Sequence, residues 1–399
     1  RGSIEAKEIS EQIGDDVIYQ ITGQQCHPMY SASKILWWKN HTPHLFHQTW
    51  KFFGWEEYIS YHLCGFPVVN HSLATRTMLF DLKNKCWSPF LLKKMNLSPD
   101  LFAPVISSGV LIAPISKKAS QEYGIPQNIQ FISGAWDQVS SAFGTGLNTP
   151  DLFLDSFGTT VCLGIFSDHL LLTPELQAGG FQTTCSVLPE SYFINGGTMN
   201  GGILLRWFRD QIKNELRDQF IQSGKDFFTE MIENLTEDPS PLLFFPYFAG
   251  RGTPYLKPKL TGFCGGLTCD TSSSDILKSI LEGICFEGRL NLDYLEKHLG
   301  FHFNQIIAVG GGSQSKFFSQ LKSTIYQRRL RSYKFPDFSS LGAAFIAMMG
   351  IQGLEKTLQI INRLLIESVL FEPQNDRGAI YLEKYQKYQK LSQVIVNFD

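Results

Sequence analysis

Residues 151–166 read DLFLDSFGTTVCLGIF, and this stretch decides the fold. LFLDSF (152–157) is strand-like, Gly158–Thr160 makes a tight turn, and VCLGIF (161–166) predicts a second strand. The result is a β-hairpin with Ser156-Phe157-Gly158-Thr159-Thr160 at its tip. Glycine at such a tip lets backbone N–H groups come close to phosphate oxygens. Outward from the hairpin the device recurs. Tyr192–Asn195 predicts a strand leading into Gly196-Gly197, followed by an amphipathic helix over Met199–Leu216 that holds Gly201, Gly202, Trp207 and Arg209. Gln305–Val309 predicts another strand, Gly310–Gly312 a turn, and Lys316–Gln327 a helix. Glycine turns thus stand at strand exits at 156–160, 195–202 and 309–313. VGGGS (309–313) lacks the GxGxxG spacing of a dinucleotide fold, and no acidic residue follows a second strand at the expected distance. Several such turns in one domain fit a nucleotide clamp better.

The surroundings supply layers. Ser273–Leu299 has apolar residues at Ile276, Ile280, Ile284, Leu295 and Leu299, the spacing of a long core-facing helix. Ser339–Gly350 is a small-residue helix, and Ile380–Val394 a polar-faced closing helix. Strands, hairpins and long helices alternating in this way predict an α/β fold. Upstream of the hairpin, Gly144–Pro150 (GTGLNTP) has the composition of an inter-domain crossing. Asn128–Ser133 predicts a buried strand, and Asp137 stands just after it, where Gln138–Phe143 begins a helix. A carboxylate so placed can orient an acceptor hydroxyl and take its proton, which is most of what phosphoryl transfer asks of a side chain. It can equally be a helix N-cap, and both readings stand on residues alone. Residues 1–60 carry helical patterns. His41, His44 and His47 do not share one helix face and Pro43 interrupts them, so they read as a solvated helix start and no metal site is expected.

With 399 residues the chain has room for two cores. A net charge of −2 offers no basic field for DNA or RNA, so no nucleic-acid partner is expected. No apolar run reaches the length of a membrane helix, so no membrane partner is expected either. The eight cysteines include no CxxC pair and are read as reduced thiols, which places the protein in the cytoplasm. The start, RGSIEAKEISEQ, has neither Met nor a hydrophobic first strand and reads as beginning mid-domain.

SGAWDQVSSAFGTG, DSFGTT, FFPYFAGRGTPY, the segment 261–289 beginning LTGFCGG, IIAVGGGSQSKFFSQL and SSLGAAFIA, taken in that order and spacing, resemble the FGGY family of carbohydrate kinases. The resemblance implies the two-domain actin-like (ribonuclease H-like) ATPase fold, with a sugar-binding domain over 1–147 and a nucleotide-binding domain over 148–399. It implies ATP and Mg2+ as cofactors and phosphorylation of a hydroxyl on a small sugar, sugar acid or polyol. Asp137 would be the catalytic base, with Trp136 and Gln138 lining the sugar site. Gly158 and Thr159 would meet the β- and γ-phosphates, and Gly202 and Arg206 would border the nucleotide. Gly311, Gly312 and Ser313 would hold the adenosine, with Lys316 near the base. Asp275 and Glu282 are read as structural. Family members are often dimers, which makes a homodimer an expectation. Members begin with a DxGT-type hairpin that this sequence lacks. The first domain is therefore expected to be truncated, the chain to be a fragment, and catalysis to fail without that loop. The alternative is an actin-like-fold protein that binds nucleotide or sugar without turnover.

Overall fold

The hairpin forms the middle of a seven-stranded sheet. The computed structural model describes residues 2–211, 231–333, 335 and 337–396. Along the chain the strands of this sheet are β1 (Leu152–Phe157), β2 (Val161–Ser167), β3 (Gln182–Cys185), β4 (Tyr192–Thr198), β5 (Gln305–Val309), β6 (Arg329–Tyr333) and β7 (Ser368–Phe371). Across the sheet the order is β7-β6-β5-β1-β2-β4-β3. β5 runs parallel to both β1 and β6, and the other neighbours are antiparallel.

Strand alternation sends side chains to two cores. Phe153 and Phe157 of β1, and Ile306 and Ala308 of β5, join a large cluster with Ile280, Ile284, Phe318 and Ile325. Leu154, Ile307 and Val309 point the other way and pack with Val139, Phe143, Phe345 and Ile361. The first face is covered by the predicted long helix, Ser273–Leu299, and by Lys316–Tyr326; the second by Asp137–Gly144, Phe338–Gln352 and Leu354–Leu364. The long helix opens on a capping box, Ser272 with Asp275. Buried ion pairs help lock the first face. Lys322 Nζ lies 2.6 Å from Asp155 Oδ1, and Lys384, from the closing helix Asn375–Ile395, pairs with Glu282. Asp275 and Glu282 are structural, as read.

Two sequence expectations shift. The strand expected over 128–133 is shorter, Gln130–Ile132, and lies at the surface, paired among the described residues only with Leu111–Pro114. It stands outside the main sheet, so nothing buries both of its faces. The helix expected from Met199 begins at Gly202, because β4 continues through Thr198 and Asn200 is tied by its side-chain amide to Gly250 O at 2.6 Å. Its expected end, 212–216, lies outside the described residues. The first 132 residues are built differently. Helices Ser3–Ile13, Asp15–Thr22, Ser31–His41 and Trp55–Cys64 surround strand pairs only two residues long, Val69–Asn70 with Val105–Ile106 and Phe80–Asp81 with Cys86–Trp87. A separate cluster including Ile18, Tyr30, Leu79 and Leu91 forms their core.

Candidate active site

Parallel register brings the glycine turns together. Ser156 of β1 stands opposite Val309 of β5, so the turns that follow both strands emerge side by side. Gly310 sits directly on the Phe157 backbone with φ 85°, where a side chain would collide as well as strain. The third turn closes from the other side. Gly202 N–H donates to Gly158 O at 2.8 Å and Ile203 N–H to Thr159 O at 3.3 Å, docking the start of helix Gly202–Gln211 on the hairpin tip.

These turns enclose a cavity of about 360 Å³, within the range of small-molecule sites. Gly158, Thr159, Gly202, Arg206, Gly311 and Gly312 line one part, and Phe157, Leu205, Ile232 and Phe318 supply an apolar wall. A Cβ at Gly311 would meet nothing within 4 Å, and one at Gly158 only Thr160 O at 3.8 Å. Packing does not require glycine at either position. What glycine leaves there is open backbone facing the cavity.

Six of the eight nucleotide-site positions read from sequence therefore lie together, and two do not. Ser313 is buried and turns inward; its hydroxyl donates to Gly310 O at 2.8 Å, because residues 311–314 form a turn of 3₁₀ helix. Lys316 opens the next helix one residue beyond its cap, Ser315, and lines a neighbouring cavity with Glu233, Glu237 and Gln320. Gln314 and Ser315 occupy the cavity wall in their place. The tight turn shifts the facing positions, which a linear count along VGGGS misses.

Asp137 is exposed at the first residue of helix Asp137–Gly144, and its Oδ1 accepts from Gln138 N–H at 2.8 Å. Trp136 and Gln138, half-buried, flank it. The half-buried Cys162 thiol, on β2, is pushed up by desolvation and further by the Asp137 carboxylate, while Arg76 pulls it down. Asp137 and Arg76 thus both bear on the hairpin. The turn carrying Asp137 is fixed by residues that sequence reading missed. Glu56 accepts from Gly134 N–H at 3.1 Å, and its other oxygen accepts from Asn70 N–H and the Asn70 side-chain amide. Asn70 accepts from Ser72 Oγ at 2.6 Å, and Ser72 Oγ in turn accepts from Trp136 N–H at 2.8 Å. Burial raises Glu56 while these three N–H groups hold it down. No local motif marks this chain of contacts, since its members lie up to 78 residues apart.

The comparisons with known proteins meet this geometry. Sequence models of the FGGY family of carbohydrate kinases match at both of its parts, the N-terminal domain over residues 1–144 and the C-terminal domain over 155–351. The chain belongs to the FGGY family of carbohydrate kinases. It is a phosphotransferase acting on a sugar-class alcohol. Similar proteins include a xylulose kinase of Staphylococcus xylosus, 26% identical over 88% of this chain and 71% of the relative, and a gluconokinase of Bacillus subtilis, 24% identical over 98% and 76%. Among solved structures, a ligand-bound xylulose kinase from Lactobacillus acidophilus superposes with a TM-score of 0.87 at 23% identity, covering 99% of this chain and 78% of that one. A Plasmodium falciparum glycerol kinase with ADP gives 0.86 at 21%, covering 99% and 77%. At such identities these structures establish the shared fold, the two-domain actin-like α/β architecture of this kinase family.

Among the described residues no three His, Cys, Asp or Glu side chains gather to hold a metal ion, and no helix is long and apolar enough to cross a membrane. Arg251 does not line the cavity between the glycine turns. It is buried against Glu287, with Nη2 3.3 Å from Oε1.

Proposed function

We propose that this kinase transfers the γ-phosphoryl group of ATP to a hydroxyl of a small sugar, sugar acid or polyol, with Asp137 as general base. The observation that carries the reading is the meeting of three glycine turns from separate strands around one cavity, with backbone left open at Gly158 and Gly311. Backbone N–H groups and Arg206 suit phosphates there, while Phe157, Leu205 and Phe318 suit a base and ribose. In the step, the acceptor oxygen bonds to the γ-phosphorus, the bond from that phosphorus to the β–γ bridging oxygen breaks, ADP leaves, and Asp137 takes the hydroxyl proton. Mg2+ would arrive on the nucleotide, held chiefly by its phosphate oxygens and water as this ion prefers, and Asp137 would be left to the acceptor. We assign residues 1–147 to the sugar side and 148–399 to the nucleotide side. All eight cysteines are free thiols, which suits a cytoplasmic enzyme.

The test is Asp137→Asn. ADP release with a sugar and polyol panel should fall by roughly 10²–10⁴-fold, the worth of a positioned base, while ATP affinity holds. Near-normal turnover in the variant removes Asp137 from the mechanism.

A further inference from the structure

Arg76 is a charged side chain whose partners are all neutral. It follows the short helix His71–Thr75, and its guanidinium carbon lies 4.3 Å from the Trp136 ring centroid and 4.8 Å from that of Tyr30. Its hydrogen bonds leave from Nη1 alone, to Gln24 Oε1 at 3.0 Å, Tyr30 Oη at 3.4 Å and Gln182 Oε1 at 2.5 Å. No carboxylate pairs with it among the described residues. A guanidinium stays protonated at any working pH and carries five N–H donors in a flat fork that matches a carboxylate. Stacking on two rings compensates part of its charge, but the donors on Nη2 and Nε have no protein acceptor. The ring beneath it belongs to the residue next to Asp137.

A second unused group stands beside it. Gln182, which holds Arg76, is directly opposite Asn195 in the β3–β4 pairing, so the two side chains project from one face of the sheet. The next residue across that face is Gly164, and the Phe193 ring lies directly over it. Asn195 is only 7% exposed, and its Oδ1 has no hydrogen-bond partner. A buried acceptor left unsatisfied costs about 1–3 kcal/mol and calls for an explanation. Here a protonless acceptor and an uncompensated guanidinium edge stand on either side of one glutamine, on the side of the fold that carries Trp136 and Asp137.

We propose that Arg76 and Asn195 bind the end of the acceptor remote from the reacting hydroxyl, and that the acceptor is a polyhydroxy carboxylic acid. Its carboxylate pairs with the open edge of Arg76, and one of its hydroxyls donates to Asn195 Oδ1. This rests on the phosphotransfer reading above, in which Asp137 faces the hydroxyl that becomes phosphorylated.

The experiment compares D-gluconate with its uncharged counterparts D-gluconamide and D-glucitol, and with the neutral ketose D-xylulose, by calorimetric binding and by ADP release. Gluconate should bind and turn over better than gluconamide by roughly 10- to 100-fold, the worth of one charge-assisted contact. In Arg76→Leu that ratio should collapse toward one, and in Arg76→Lys part of it should return. Added salt should narrow the ratio in the wild type, which needs no variant to fold. Equal binding of acid and amide by the wild type, or an unchanged ratio in Arg76→Leu, overturns the proposal. Turnover of none of the four acceptors breaks the phosphotransfer reading instead, and the acid-against-amide binding ratio then still decides what Arg76 recognises.

Discussion

The two halves of this kinase hold their sites by different means. On the side we assign to the nucleotide, a seven-stranded sheet in continuous register carries the glycine turns, so backbone hydrogen bonding sets Gly158 beside Gly310. On the side we assign to the sugar the strands are only two to four residues long, and the turn bearing Asp137 is fastened by side chains: Glu56, Asn70, Ser72 and Arg76. A sheet spreads its positional accuracy over many backbone bonds. A side-chain chain puts the same accuracy on a few atoms. The first should be hard to break except by stranding a charge in its core, and the second should respond to single polar substitutions and to pH.

The sheet side is tested most severely at Lys322. Lys322 and Asp155 are almost fully buried beneath the hairpin, and Tyr326 Oη also donates to Asp155, at 2.7 Å. Lys322→Met leaves the carboxylate with the phenol alone. Unfolding in urea should show a loss of about 3–5 kcal/mol, the usual cost of breaking a buried pair from one side. Adding Asp155→Asn should recover much of it, since the stranded charge is gone while the phenol keeps an acceptor. If Lys322→Met alone is nearly neutral, the pair does not hold this face.

The sugar side should show its dependence on pH at Glu57. This residue is buried in the first turn of helix Trp55–Cys64, where it accepts from Gly54 N–H at 3.1 Å. Desolvation, with a smaller push from the neighbouring Glu56 charge, raises it from 4.5 to about 7. A carboxyl raised on folding binds its proton more tightly in the native state. Its contribution is therefore complete below the unfolded value, 4.5, and is lost as pH climbs through about 7. Unfolding measured at pH 5 and pH 8 should differ by on the order of 2–3 kcal/mol from this group alone, with the protein weaker at pH 8. Glu57→Gln cannot titrate and should flatten that difference. An undiminished slope in the variant assigns the pH response to another group.

How much of this was legible in the sequence follows the same division. Ser273–Leu299 announced itself through a long apolar period, and the helix has those bounds. The hairpin at 152–166 and the strand at 305–309 were legible because apolar side chains there alternate between two real cores. The glycine turns showed which backbone would be exposed, although not that 3₁₀ geometry turns Ser313 inward and carries Lys316 past the cavity. Asp137 stood out by following a strand and opening a helix. Glu56, Ser72, Arg76 and Asn195 did not. Their partners come from other elements, and Asn195 lies within an ordinary strand pattern, so no local periodicity records the pairing.

The smallest expected effect lies at the seam between the halves. Helix Asp137–Gly144 packs on Phe338–Gln352 so closely that the two meet backbone to backbone. Ser140 Oγ donates to Ser339 O at 2.9 Å, and a Cβ added at Gly144 would stand 2.6 Å from Phe338 O. A Cβ at Gly342 would run into the carbonyl oxygen of Ser140, which cannot swing aside without moving its helix. Gly342→Ala should therefore cost about 1–3 kcal/mol, read as a lowered urea midpoint, the penalty of overpacking a tight contact. Because Asp137 is the first residue of the displaced helix, sugar phosphorylation should fall as well. ATP affinity should hold, since the glycine turns ride on the sheet and not on this contact. Ala343, exposed one position along, serves as the control, and Ala343→Ser should change neither quantity. Should Gly342→Ala weaken ATP binding as much as turnover, the seam would be shared by both sites. The base would then be placed by the sheet after all, and the contrast between the two halves would not survive.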